Sequence, residues 1–80
     1  MEVMTVREWY VSEYADDEAG LTLNENVSFV DLMGALLKGI CIYSVLGGYA
    51  DSIIRERVFV KMAEIYNVDY SKIYELWLKA

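Results

Sequence analysis

Apolar residues recur at helical spacing along most of the chain, broken by short polar or glycine-bearing junctions. Thr5-Val6-Arg7-Glu8 is a capping-box pattern, in which a hydroxyl caps the first turn and a carboxylate three residues on reaches back. Trp9, Tyr10, Val11 and Tyr14 then supply an apolar side to a helix over about 6–15. Asp16-Asp17-Glu18 would oppose the negative end of the helix dipole, and Gly20 follows, so the helix ends there. Leu21 to Val27 is a connector whose alternating Leu21 and Leu23 pin it to the core. Ser28 caps the next helix, with Asp31 in the reciprocal role, and Phe29, Leu32, Met33, Leu36 and Leu37 mark a helix over 29–37. Gly39 ends or bends it. The apolar run 40–46 fits helix or strand by length, and with no partner strand in view it is assigned as a short helix closed by Gly47-Gly48.

The next helix, over 52–66, is capped by Asp51 or Ser52. Ile54, Val58, Met62 and Ile65 form its core stripe, while Arg57, Lys61 and Glu64 lie on a solvated side. Two features break the simple amphipathic pattern. Arg55 falls inside the apolar arc, where an arginine snorkels or pairs with a carboxylate. Ile53 and Val60 form a second apolar line seven residues apart. Asn67 suits a left-handed C′ position, and Asp69 caps a final helix over 69–78 with Ile73, Trp77 and either Tyr70 or Leu76 inward. The pattern predicts a single all-α domain over 1–80, a small bundle of four main helices with a shorter fifth at 40–46.

Composition sharpens this picture. A chain of 80 residues that is 56% apolar, with seven Tyr and two Trp, has enough apolar surface to offset chain entropy. The excess also favours a covering partner or a second copy. Asp16, Asp17 and Glu18 belong to an acidic half: residues 1–37 carry eight carboxylates and one base, against five and six in residues 38–80. Such a half repels nucleic acid and attracts a basic protein surface. With no His, the usual general base and imidazole metal ligand are both missing, so Ser-His and Cys-His nucleophiles are excluded. Asp16-Asp17-Glu18 lacks the ligand spacing and glycine of an EF-hand loop, and Gly47-Gly48 lacks the lysine and second spaced glycine of a phosphate cradle. The expectation is therefore no enzyme activity, no metal and no cofactor. The lone Cys41, flanked by Ile40 and Ile42, reads as a buried inert thiol and forms no intramolecular disulfide. The N-terminal residues lack a signal-peptide pattern, and the apolar stretch 29–46 is interrupted by Asp31 and Lys38, so the expected setting is cytoplasmic, without a membrane span.

Residues 63–77 resemble a helix-turn-helix, through the spacing Ala63, Asn67-Val68, Ile73 and Leu76. That resemblance implies that Asp69, Tyr70, Ser71, Tyr74 and Glu75 face the major groove. Base reading favours Arg, Lys, Asn or Gln there, and only Lys72 adds positive charge. The segments 51–59 and 66–77 also resemble small accessory proteins of bacteriophages and mobile elements of Gram-positive bacteria. That likeness implies an inhibitor of a host enzyme or defence complex, anti-CRISPR proteins included. The leading expectation is a non-catalytic protein that occludes a basic surface on a protein partner. Glu8, Glu13, Asp16, Asp17 and Glu18 would steer the encounter, and Tyr10, Tyr14, Tyr70 and Tyr74 would anchor it. The alternative is a dimeric DNA-binding regulator gathering Arg55, Arg57, Lys61, Lys72 and Lys79 on one face. A third reading is a homodimer through Ile53 and Val60.

Overall fold

The computed structural model describes residues 4–18, 22–24, 27–48 and 51–80. Among the described residues five helices follow one another: α1 (Val6–Glu13), α2 (Phe29–Leu37), α3 (Ile42–Leu46), α4 (Ser52–Tyr66) and α5 (Tyr70–Lys79). The architecture is all-α, and among the described residues there is no strand, only an isolated antiparallel bridge between Thr5 and Ser28. That bridge and the Val6 N–H bond to the Val27 carbonyl (2.8 Å) hold the start of α1 beside the start of α2. No helix among the described residues is long and apolar enough to cross a membrane.

The helix boundaries follow from capping chemistry. The Thr5 hydroxyl accepts from the Glu8 N–H (3.1 Å) and donates to the Glu8 carboxylate (2.9 Å). Ser28 and Asp31 form the complete reciprocal capping box of α2. Asp51, rather than Ser52, caps α4 by accepting from the Ile54 N–H at 2.9 Å. Asp69 occupies the N-cap position of α5 without a side-chain cap bond.

Two helices end in the same left-handed turn. At the end of α2, Gly39 N–H donates to Leu36 O (3.1 Å) and Ile40 N–H to Ala35 O (2.9 Å), with Gly39 at φ 72°. At the end of α4, Val68 N–H donates to Ala63 O (3.1 Å) and Asn67 N–H to Glu64 O (3.4 Å), with Asn67 at φ 52°. Both are Schellman motifs, which satisfy the last carbonyls of a helix and turn the chain sharply. The α4–α5 corner is thus built by Asn67, and α5 folds back on α4.

The core gathers Val6, Trp9 and Tyr10 of α1, Leu23 and Val27 of the connector, Phe29, Leu32 and Leu36 of α2, and Ile42 and Leu46 of α3. Ile54, Val58, Phe59 and Met62 of α4 and Ile73 of α5 complete it. Trp9 meets Tyr10, Tyr14 and Phe29 edge-on, at ring separations of 6.0, 5.9 and 5.5 Å. Leu23 packs in the core as expected, whereas Leu21 lies outside the described residues.

Several expectations need correction. Helix α1 stops at Glu13, two residues early, because Tyr14 leaves helical geometry (φ −132°, ψ 55°) and accepts the Asp17 N–H in the next turn (2.9 Å). Val11 and Leu37 are exposed because each lies roughly 130° or more around its helix from the middle of the buried side, and Ile65 is exposed because it lies past Met62, the last buried residue of α4. Cys41 is exposed rather than buried, since the turn at Gly39 swings residues 40 and 41 outward before α3 begins. Hydrogen bonds from the Tyr43 and Ser44 backbone hold its thiol below the ordinary value. The short helix in the 40–46 run is present but begins at Ile42.

Candidate functional site

Four acidic residues of the first half, Glu13, Asp16, Asp17 and Glu18, lie together at the end of α1. Where α1 ends, the chain turns through Ala15 to Glu18 and, with Arg57 of α4, walls an open concavity of about 680 Å³. Its lining is Glu13, Tyr14, Ala15, Asp16, Asp17, Glu18 and Arg57. Glu8 lies outside this lining, at the opposite end of α1, where its carboxylate is held by Thr5.

One partly buried contact holds the acidic turn in place. The Tyr10 hydroxyl donates to Asp17, Arg57 donates to the Tyr10 hydroxyl at 3.0 Å, and Arg57 pairs with Asp17 at 3.3 Å. The Arg57 guanidinium also lies over the Tyr14 ring, 4.2 Å from its centroid. The two charged side chains retain 37% and 38% of their exposure, so water screens the pair and the buried phenol supplies much of the constraint. Burial, then the bond to Asp17, holds the Tyr10 phenol above its ordinary value.

Tyr10 therefore does not serve as an exposed anchor. The residue is completely buried, because the core-facing side of α1 passes through Val6, Trp9 and Tyr10. Asp17 and Arg57 are likewise engaged within the chain, although each keeps more than a third of its side-chain exposure. The sequence contained no direct sign of this contact, since its members are separated by 40 and 47 positions.

A second cluster lies across α4 on α5. Tyr70 and Tyr74 stack at 6.3 Å, Tyr74 meets Trp77 at 5.3 Å, and Phe59 touches both Tyr70 and Trp77. The Arg55 guanidinium covers Trp77 at 3.9 Å and hydrogen-bonds the Tyr43 hydroxyl. Arg55 is resolved by an aromatic pair rather than by simple snorkelling or by a carboxylate, a use that its planar, weakly hydrated head allows. Its placement inside the apolar arc was the available signal. Tyr70 and Tyr74 remain exposed. Burial, and then the Glu56 carboxylate, raise the Tyr70 phenol.

Within one chain, the five basic residues of the dimeric DNA-binding alternative sit in different surroundings. Arg55 is stacked over Trp77 and Arg57 is tied to the acidic turn, while Lys61 is half-buried and Lys72 and Lys79 are exposed. Ile53 and Val60 are exposed at 57% and 49%. With Tyr14, Glu56 and Arg57 they line a groove of about 310 Å³ along the outer face of α4. This face lies between the acidic turn and the aromatic cluster, for Glu56 both lines the groove and acts on Tyr70.

Among the described residues, no three carboxylate or thiol side chains converge as a metal site. No protein-family model, curated protein or solved structure matches this chain.

Proposed function

We propose that this is a non-catalytic interaction protein that occludes a basic surface on a protein partner. The observation that carries the reading is the acidic concavity. Glu13, Asp16 and Glu18 are exposed around it, while the Tyr10–Asp17–Arg57 contact orders the turn that presents them. A pre-ordered acidic rim steers a basic partner and loses little entropy on docking. Tyr14 supplies contact area at the same site. Tyr70 and Tyr74 offer further area on the far side of α4. In biological terms the proposal is a phage-encoded inhibitor of a host defence or nucleic-acid enzyme, acting stoichiometrically.

The test is a pull-down from nuclease-treated host lysate, followed by association kinetics with the captured protein. Neutralising Glu13, Asp16 and Glu18 together (Glu13→Gln, Asp16→Asn, Glu18→Gln) leaves the Asp17 contact intact. It should slow association about tenfold at low salt and flatten the salt dependence. Unchanged kinetics, or capture that disappears with nuclease, would refute the reading.

A further inference from the structure

We propose that the outer face of α4 is the contact between two copies of this chain, with the two α4 helices packed side by side in parallel. The inference rests on α4 and the groove along it, which shares Tyr14 and Arg57 with the lining of the acidic concavity.

On a helix of 3.6 residues per turn, Ile53 and Val60 lie within about 20° of each other. Ile54, Val58, Phe59 and Met62 are buried on the other side of α4, so the Ile53–Val60 ridge points directly away from the core. Glu56 lies about 50° to one side of that ridge and Arg57 about 50° to the other. Both line the same groove as Ile53, Val60 and Tyr14.

A two-fold axis parallel to α4 sets Ile53 against its own image and Val60 against its own image, seven residues apart as in a coiled-coil seam. The same operation carries each Glu56 to the flank occupied by the partner's Arg57. Opposite charges then meet on both edges of the apolar seam. An antiparallel pair that keeps Ile53 against Val60 does the reverse, facing Glu56 with Glu56 and Arg57 with Arg57. The face is self-complementary in one orientation only, as a closed two-fold dimer requires. Arg57 can join without leaving the acidic turn, because it retains 37% of its side-chain exposure there.

The helix has 15 residues, about 22 Å of length, so the seam is short. It falls in the class of small interfaces, below roughly 1,200 Å² in total, and the dimer should dissociate in the micromolar range. Sedimentation equilibrium of the full chain, from about 5 to 500 μM, should show the mass rising from one chain to two. Val60→Glu and Ile53→Glu should each raise the half-dimer concentration at least about tenfold by placing like charges across the seam. Both positions are exposed, so circular dichroism at low concentration should match the parent.

Orientation is read by oxidising Cys41→Ser chains that carry Ile53→Cys or Val60→Cys, singly and mixed. Self-linked 53–53 and 60–60 dimers are expected. A chain that stays monomeric throughout overturns the proposal, as does a dimer indifferent to Val60→Glu or a preference for 53–60 links.

Discussion

The contact that orders the acidic turn can be tested by removing one oxygen. In Tyr10→Phe the ring remains in the core, where the residue is completely buried, and only the hydroxyl is lost. That hydroxyl donates to Asp17 and accepts from Arg57. Hydrogen bonds to charged partners contribute about 1.5–3 kcal/mol each when the partner is left stranded. Here the stranding is partial, since Asp17 and Arg57 each keep more than a third of their exposure and still face one another at 3.3 Å. Water can replace the lost oxygen on both. The expected loss is therefore about 1–1.5 kcal/mol, well short of the sum of two such bonds. In a domain of this size that lowers the melting temperature by roughly 4–12 °C. Urea melts should show a lower midpoint with an unchanged slope. Tyr74→Phe, at an exposed ring, should stay within about 0.5 kcal/mol of the parent. A double-mutant cycle with Asp17→Asn should return a coupling of about 1 kcal/mol. Faster amide exchange at Asp17 should accompany Tyr10→Phe, because its N–H bond to Tyr14 lies within the released turn. A Tyr10→Phe chain within about 0.3 kcal/mol of the parent, with additive double-mutant behaviour, would mean that the hydroxyl does not hold the turn.

Three further outcomes follow from the same packing. Gly47→Ala should cost about 2–3 kcal/mol in urea melts, because Gly47 sits at φ 128° and an added Cβ would lie 2.6 Å from the Thr22 carbonyl oxygen. Tyr66→Phe should be neutral or stabilising by up to about 1 kcal/mol, since the Tyr66 hydroxyl is buried without a hydrogen-bond partner among the described residues. A measured loss above that size would reveal a partner for the hydroxyl. Stability should fall as the pH rises above about 10, the ordinary phenol value, because Tyr10, Tyr66 and Tyr70 are all raised in the folded state. Above that pH the unfolded chain has already lost these protons while the folded chain retains them, so deprotonation favours unfolding. Chemical denaturation at about pH 8 to 11 should show the loss, and the double substitution Tyr10→Phe with Tyr66→Phe should make it less steep.

The sequence by itself determined what local chemistry controls. Thr5, Ser28 and Asp51 announced three helix starts, and Asn67 the left-handed corner between α4 and α5, because caps and turns involve residues only a few positions apart. The spacing of Ile54, Val58 and Met62 identified the buried side of α4, and that of Ile53 with Val60 a second apolar line, which the fold leaves exposed. Only the tertiary structure decided the fate of side chains whose partners are distant in the chain. Tyr10 had the same apolar, polar-tipped chemistry as Tyr14, yet the shared core buried one and left the other at the rim of the acidic turn. Arg57 and Arg55, two positions apart, were sent to opposite flanks of α4, one to a carboxylate and a phenol, the other to Trp77 and Tyr43. Cys41 was exposed by the direction in which a glycine turn released the chain. Helical periodicity records which face of a segment is apolar; which neighbour covers that face, and where it stops covering it, depends on how the segments pack.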